Sequence, residues 1–201
     1  MSLPLVYDSA SKKVSLAENT SAAAYGDLQL EIAQLNTLIK DYVNANVDVP
    51  PLPTRENYTK NLSMMIKKMH ESAAASMRTK KYADAAKQFG VALGLAAARP
   101  KFENFQMTVS EVLICLVGRC DANMMLENWL DAYVDAELLC QLAANIPENH
   151  LRKGVCQMKL GNLLAAKSDL ERGLCFNPSH SKLAEELKNV QRLIDEENGE
   201  L

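Results

Sequence analysis

The chain has 201 residues and a mass of 22.2 kDa, which is enough for one domain or for one domain with a small appendage. Hydrophobic residues make up 48% and charged residues 23%, an ordinary globular composition that excludes general disorder. The 22 Lys and Arg residues against 25 Asp and Glu residues leave a net charge of −3, so composition offers no electrostatic case for binding nucleic acid.

No stretch approaches the roughly 18 apolar residues that span a bilayer, and the N-terminal sequence lacks the basic start and apolar core of a signal peptide. The cysteines are odd in number, include no CxxC motif and lie among apolar residues. They favour buried free thiols in a reducing cytosol over a disulfide framework or a zinc site. The five are Cys115, Cys120, Cys140, Cys156 and Cys175.

Residues 1–50 differ from the rest of the chain. LVYDSASKKVSL alternates apolar and polar residues around a polar turn, which predicts a β-hairpin with Leu5 and Tyr7 facing Val14 and Leu16. Because an isolated hairpin is marginally stable, it must lean on another element. DLQLEIAQLNTLIKDYV has apolar residues at steps of three and four, which predicts an amphipathic helix.

The segment NVDVPPLP interrupts this pattern and predicts a stiff extended linker. Its PPLP string is also compatible with a ligand for a WW or SH3 domain, but such strings are common by chance and a spacer is favoured. From Thr54 onward the chain is predicted to be helical, with Thr54 as N-cap and Asn57 three residues later. The predicted helices lie near 55–78, 82–98, 103–126, 128–144, 148–160, 163–176 and 180–197.

A repeat runs through this helical part. In ENHLRKGVCQMKLGNLLAAKSDLERGLCFNP, the small residues Gly154, Ala166 and Gly173 surround the large Leu170, and Pro178 closes the unit. This helix–turn–helix pattern is the tetratricopeptide signature, whose period is about 34 residues. The spacing has a physical cause, because two helices cross closely only where small residues meet and a large residue fills the space beside them.

The same frame recurs upstream. Ala132 precedes Ala166 by 166 − 132 = 34 residues, and Ala85 precedes Ala132 by 132 − 85 = 47, an excess assigned to longer helices and the turn RPKFENF. The last helix, SKLAEELKNVQRLI, is predicted to cap the third repeat. The fold class is therefore an all-α tetratricopeptide-repeat superhelix over residues 54–201, with three helical hairpins, a capping helix and a concave groove lined by the first helix of each repeat.

Motifs for catalysis or metal binding are not found. His70, His150 and His180 have no metal-ligand spacing, and the sequence contains no HExxH motif, GxGxxG loop, P-loop or GxSxG elbow. The carboxylates occur on polar helix faces rather than singly in apolar surroundings. We therefore expect no enzymatic activity, no cofactor and no metal.

Basic residues stand out on the first helices of the repeats. Lys67 and His70 lie on that of the first repeat, Arg119 on that of the second, and Arg152 and Lys159 on that of the third. Several cations in one groove predict an acidic peptide or a chain-terminal carboxylate as ligand.

Ordinary solvated side chains are an equally good interpretation of Lys67, Lys68 and Lys153 taken singly. For Arg152 the functional interpretation is favoured, because a guanidinium fork suits a bidentate carboxylate. The methionines at helical spacing are interpreted mainly as core residues, with a minority available to form an adaptable apolar pocket.

The chain resembles the soluble tetratricopeptide subunit of the fungal Sec complex, which drives post-translational protein import into the endoplasmic reticulum (ER). The resemblance lies in MIKKMHESAAASMRTKKYADAAKQFGVAL, the turn PKFENFQ, the segments LRKGVCQMKLGN and ERGLCFNP, and the ending EENGEL. It also includes the LVYDSASKKVSL start and the linker, and so spans nearly the whole chain.

This resemblance implies a non-enzymatic adaptor on the cytosolic face of the ER membrane. A small membrane-anchored partner subunit is expected to hold it there, beside a J-domain membrane subunit and the protein-conducting channel. The groove is expected to receive the acidic tail, Glu-Glu-Val-Asp, of cytosolic DnaK-type heat-shock chaperones and so to promote import independent of the signal recognition particle.

Repeat domains that bind such tails use a clamp of five polar residues. By resemblance, Arg152 matches the clamp Arg, Glu148 stands where a Lys is expected, His70 replaces the other Lys, and Ala74 and Gly118 replace the two Asn residues. Only one position is kept. A purely structural scaffold that holds the partner subunit with no tail binding therefore remains an alternative, and an enzyme built on the repeats is kept only as a remainder.

Overall fold

The computed structural model describes residues 4–18, 20–21, 24–47, 54, 56 and 58–199. The prolines of the predicted linker and the predicted capping residue Asn57 lie outside the described residues. The chain forms two compact units. The first contains Met1–Tyr58 and Pro100–Phe105, and the second contains Thr59–Arg99 and Gln106–Leu201.

A β-hairpin forms the start of the first unit. Strands β1 (Leu5–Asp8) and β2 (Lys13–Leu16) pair antiparallel, with Leu5 opposite Leu16 and Tyr7 opposite Val14, which confirms the predicted register. The Asp8 carboxylate accepts hydrogen bonds from the Ala10 N–H at 3.0 Å and the Ser11 hydroxyl at 2.6 Å. These bonds fix the polar turn, because an aspartate that caps backbone donors two and three residues later favours a tight reversal.

Helix α1 (Gly26–Asn44) supports the hairpin, and the side chain of Asn36 forms hydrogen bonds to β2. The Asn36 amide accepts from the Val14 N–H and donates to the Val14 C=O, both at 2.8 Å, and so pairs with β2 as a strand residue would. The prediction that the hairpin leans on another element is confirmed. No residue of α1 is buried, and Leu30 and Val43 are exposed.

Seven helices form the second unit: α2 (Lys60–Arg78), α3 (Tyr82–Ala97), α4 (Phe105–Met125), α5 (Trp129–Leu142), α6 (Pro147–Lys159), α7 (Leu163–Phe176) and α8 (Ser181–Asn198). The predicted bounds of α3 to α8 agree within two residues. The predicted start of α2 is wrong, because the helix begins at Lys60 and Thr54 is exposed and outside it. The apolar residues that α2 turns to the core begin at Leu62, so earlier residues have no core to bury.

Small residues set the contact between paired helices, as predicted. A Cβ atom placed on Gly154 of α6 would lie 2.7 Å from the Leu170 side chain of α7. Ala73, Ala85 and Ala122 are fully buried around Phe89 in the first two repeats. Leu183 and Val190 of α8 complete the core of the third repeat, which confirms the predicted capping helix.

The turns between the two helices of each repeat have the same backbone conformation. Lys80, Glu127 and Gly161 have positive φ values of 59°, 60° and 81°. They are separated by 127 − 80 = 47 and 161 − 127 = 34 residues, the spacings found in the sequence. In each turn the next residue donates its N–H to the carbonyl five residues earlier, as Asn162 does to Gln157 at 2.9 Å. This is the Schellman arrangement that ends many helices.

The connection from the first to the second repeat is fixed by a buried ion pair. Arg99, after α3, donates to Glu111 of α4 at 2.5 Å and to the Ser63 hydroxyl of α2 at 2.7 Å. The Arg99 side chain is fully buried. Since removing one partner would leave a buried charge, the three helices are held in one arrangement here. Within the described ranges, none of the helices combines the length and apolar character needed to cross a bilayer.

The left-handed turns predict opposite effects of glycine substitution. Lys80→Gly should raise the free energy of unfolding by about 1 kcal/mol, because a side chain at positive φ is strained, and Gly161→Ala should lower it by about 1 kcal/mol. Urea denaturation measures both. Lys81→Gly is the matched control, since Lys81 has φ −87° and should gain nothing. Equal effects of the two lysine substitutions would contradict the assignment.

Candidate functional site

The candidate site is the face formed by the first helices of the repeats, α2, α4 and α6, here called the first-helix face. All five predicted binding residues belong to these helices. Lys67 and His70 are on α2, Arg119 is on α4, and Arg152 and Lys159 are on α6. In repeat superhelices of this type, the first helices lie on the concave side.

Arg152 is bound to a carboxylate of the neighbouring first helix. Its Nε donates to Asp121 Oδ1 at 2.7 Å and its Nη2 donates to Oδ2 at 3.1 Å, a bidentate pair between α6 and α4. Burial lowers the pKa of Arg152, but the hydrogen bonds that Arg152 donates to Asp121 and the negative charges of Asp121 and Glu148 raise it overall. The side chain of Arg152 is 18% exposed and that of Asp121 is 39% exposed, so the pair lies at the surface of the first-helix face.

Arg119 is directed toward the second helices instead. Its Nε and Nη2 donate to Asp135 of α5 at 2.9 and 2.6 Å, and Asp135 is buried. This hydrogen bonding raises the pKa of Arg119. The remaining exposed part of Arg119 lines a cleft of about 390 Å³ between α3, α4 and α5, together with Lys87 and Val134.

The Arg119–Asp135 pair recurs one period later. Lys153 (153 − 119 = 34) lies 3.2 Å from the buried Asp169 (169 − 135 = 34) and 2.6 Å from Glu137. Although burial lowers it, these two partners raise the pKa of Lys153, and Lys153 lowers the pKa of Glu137. The interpretation of Lys153 as a solvated side chain is wrong. A cation on the first helix that neutralises a buried aspartate on the second helix is part of the hairpin packing.

Phe89 of α3 fills the position expected for a clamp asparagine. A Cβ atom on Gly118 would lie 2.4 Å from the Phe89 ring, so any side chain at this position would collide with it. His70 contacts the edge of the same ring, with 5.3 Å between ring centroids and 66° between ring planes. Phe89 itself is buried, so at this position the core fills the space in which the tail-binding clamp has an amide.

The two remaining cations are exposed. Lys67 lies 3.9 Å from Glu71 one turn later on α2, an exposed pair of the kind that contributes little stability. Lys159 lies over the Trp129 ring, 5.8 Å from its centroid. Glu148, which stands at a clamp lysine position, lies 3.6 Å from His180 Nε2. The structure gives the five predicted residues separate partners, and their role in peptide binding stays a prediction.

Sequence analysis missed Asp121 and Asp135, and it assigned Phe89 to the packing of the first repeat without relating it to the site. One period before Arg152 is Gly118 (152 − 34 = 118). Asp121 follows Gly118 by one helical turn, so the repeat period places Asp121 on the first-helix face with Arg152. The sequence also shows that a cation and an aspartate 16 residues apart recur after one period, at Arg119 and Asp135 and again at Lys153 and Asp169. The inward position of Phe89 was readable as well, because Phe89 follows Ala85 by four residues as Leu170 follows Ala166, and its burial confirms that position. Its close approach to Gly118 was not readable, because it depends on the distance between α3 and α4.

The described pair that comes nearest to a nucleophile and base is Cys140 and His150. Cys140 Sγ lies 3.8 Å from His150 Nδ1, and His150 Nε2 lies 2.8 Å from the Ala144 carbonyl oxygen. Burial raises the pKa of Cys140 to about 11, so the thiol stays protonated at neutral pH. Among the described residues, no group of three or more His, Cys, Asp or Glu side chains has the arrangement of a metal site.

The five cysteines are free, as predicted, and Cys115, Cys120 and Cys156 are buried. The prediction that all of them are buried is wrong for Cys175, which is exposed, and holds only in part for Cys140, which is half-buried. The amphipathic pattern of α7 explains the exposure of Cys175, because the buried Leu170 and Gly173 lie on the face turned to the core and Cys175 does not.

The fold and the first-helix face define a tetratricopeptide-repeat protein, as predicted. The chain is 28% identical over 198 residues to the translocation protein SEC72 of Saccharomyces cerevisiae, with 98% of each chain covered. It also matches a chain in the cryo-EM structure of the S. cerevisiae Sec complex, with a TM-score of 0.71, 26% identity and coverage of 96% of this chain and 99% of that one. The resemblance to the tetratricopeptide subunit of the fungal Sec complex is thereby confirmed.

Several solved repeat domains match 65–73% of the chain. One is the second repeat domain of human RPAP3 in complex with the HSP70 peptide SGPTIEEVD, with a TM-score of 0.55, 18% identity and coverage of 65% of this chain and 98% of that one. No protein-family model matches the chain.

Arg119 is predicted to act on stability. Arg119→Ala should lower the free energy of unfolding by on the order of 1–2 kcal/mol, because the buried Asp135 loses its hydrogen-bond donor. Arg192→Ala is the control, since Arg192 is exposed and pairs within α8, so its change should stay within about 0.5 kcal/mol. Urea denaturation compares the two, and equal small changes would contradict a structural role for Arg119.

The cysteines are predicted to differ in reactivity. A maleimide should label Cys175 first in the folded protein, because Cys175 is exposed and burial keeps Cys140 protonated. Mass spectrometry after partial labelling and proteolysis measures the order. Cys175→Ser should remove the fast phase, and fast labelling that persists in this variant would show that another thiol is accessible.

Proposed function

We propose that the chain is a non-catalytic adaptor subunit of the protein-translocation machinery of the ER. The observation that carries this proposal is the similarity to SEC72 and to the Sec complex chain over 96% or more of this chain. The RPAP3 repeat domain covers only 65% of it. The long match therefore includes the hairpin-and-helix unit, which repeat domains in general do not require.

The first unit, and residues 1–50 in particular, is the proposed binding region for a membrane-anchored partner subunit. Its exposed apolar side chains support this role, since α1 has no buried residue and Val6, Tyr7 and Leu30 are at least half exposed. Such a partner would hold the chain at the cytosolic face of the ER membrane, beside the J-domain subunit and the channel.

We further propose that the first-helix face receives the acidic C-terminal tail of a cytosolic DnaK-type chaperone. Arg152 supplies a guanidinium at the surface of that face, and a repeat domain of the same fold binds an HSP70 tail peptide. With one clamp residue kept of five, binding is expected to be weak. Attachment to the same membrane complex would compensate by raising the effective concentration of chaperone and adaptor.

Arg152→Ala should abolish binding of a fluorescent peptide that ends in Glu-Glu-Val-Asp with a free carboxyl group, because the peptide carboxylates lose their guanidinium partner. Fluorescence polarisation measures the affinity. Arg192→Ala, on α8, should bind as the unchanged protein does, and rising salt should weaken binding. Undiminished binding by Arg152→Ala would remove Arg152 from the site.

A second candidate function is a scaffold that holds the partner subunit and binds no tail. Two observations favour it: Arg152 is already paired with Asp121, and Phe89 fills the place of a clamp asparagine. Retention of a full-length DnaK-type chaperone on the immobilised protein separates the two. Retention that requires the last four chaperone residues would exclude the scaffold, and equal retention without them would exclude tail docking.

A further inference from the structure

The Arg152–Asp121 pair differs from the Arg119–Asp135 and Lys153–Asp169 pairs in the exposure of its carboxylate. Asp135 and Asp169, which pair with Arg119 and Lys153, have side chains only 3% and 7% exposed, so each is a buried charge that its cation neutralises. The Asp121 side chain is 39% exposed. Releasing Asp121 into water therefore carries little cost of desolvation or of an unpaired buried carboxylate.

Asp121 also makes the contact that a ligand would make. Its two oxygens accept from Arg152 Nε and Nη2 in the bidentate geometry typical of guanidinium and carboxylate. The pair joins two first helices and is part of the first-helix face. A ligand carboxylate that uses the same edge of Arg152 must exchange with Asp121.

We propose that Asp121 is an internal substitute for the ligand carboxylate and sets which acidic tails bind at Arg152. The inference rests on the tail docking proposed above and names the residue that controls it. Binding exchanges one carboxylate for another at Arg152, so a single ligand carboxylate gains little. Glu148 adds a second negative charge near Arg152 and further disfavours a weakly anchored anion.

A tail with several carboxylates overcomes this competition. Lys159 lies seven residues after Arg152, about 10 Å along the same helix, and its ammonium group is exposed over Trp129. A ligand with adjacent acidic side chains and a terminal carboxylate reaches a second cation that Asp121 does not occupy. Asp121 therefore selects for multiply charged tails against single carboxylates.

Asp121→Asn tests the proposal, because it keeps the shape of the side chain and removes its charge. The substituted protein should bind the Glu-Glu-Val-Asp peptide about ten- to a hundredfold more tightly, the worth of a charge-assisted hydrogen bond to Arg152. It should also bind a peptide with a single C-terminal carboxylate and no acidic side chains. Glu148→Gln is the matched control, since it removes the same charge without a hydrogen bond to Arg152, and its gain should be less than about threefold.

The alternative role of Asp121 is to position Arg152. In that case Asp121→Asn lowers the affinity or leaves it unchanged, and this overturns the inference while the dependence on Arg152 leaves the proposed tail docking intact. Equal gains in Asp121→Asn and Glu148→Gln also overturn it, since they show a general effect of charge. If no form of the protein binds the peptide, both the docking and the inference are wrong.

A measurement on the unchanged protein keeps the test independent of whether the variant folds. The carboxyl carbon signal of Asp121, followed by NMR during titration with the Glu-Glu-Val-Asp peptide, should move toward the position of a solvated carboxylate as Arg152 changes partner. A signal that stays in place at saturating peptide overturns the proposal. The same titration with a peptide amidated at its C-terminus should give a smaller shift at equal concentration.

Discussion

Close contact between paired helices is the constraint on which the repeat unit depends. The helices of a repeat approach so nearly that the position of Gly154 leaves no room for a Cβ atom beside Leu170. Helices this close also bury polar side chains: Asp135 and Asp169 are buried between them, each beside the cation that neutralises it. Hairpin packing and the internal ion pairs therefore have one cause, since helices this close leave no water to solvate a lone carboxylate.

This arrangement divides the basic residues of the first helices into two groups. Arg119 and Lys153 are turned toward the second helices and hold buried aspartates. Lys67 and Lys159 are exposed, and neither has a bidentate carboxylate partner. Arg152, only 18% exposed, forms a bidentate pair with Asp121 of another first helix. A count of basic residues therefore overestimates the positive charge that a ligand meets. The opposite charge of the partner carboxylate largely cancels the field of each paired cation at a distance.

Much of the fold could be predicted from the sequence, because the signals are local. Periodic apolar residues gave the helix bounds within two residues from α3 onward, and alternation gave the hairpin register, with Leu5 opposite Leu16. The bridge from Asn36 to Val14 was not predicted, since a polar residue on an exposed helix face looks like a solvated one. At the candidate site, Arg152 was found by its residue type, but its partner Asp121 lies 31 positions away and needs the packing of one repeat on the next.

The turns that end the first helices differ in backbone strain, and this difference ranks the repeats by local stability. Gly161 takes the left-handed conformation without strain, whereas Lys80 and Glu127 hold it with a side chain attached. The third repeat is also covered by α8, with Leu183 and Val190 fully buried. In an array where each unit contributes its own stability and that of its interfaces, opening begins where the local free energy is lowest. Within the second unit, fraying therefore starts at the first repeat, and the third repeat, which carries Arg152, keeps its backbone amides protected longest.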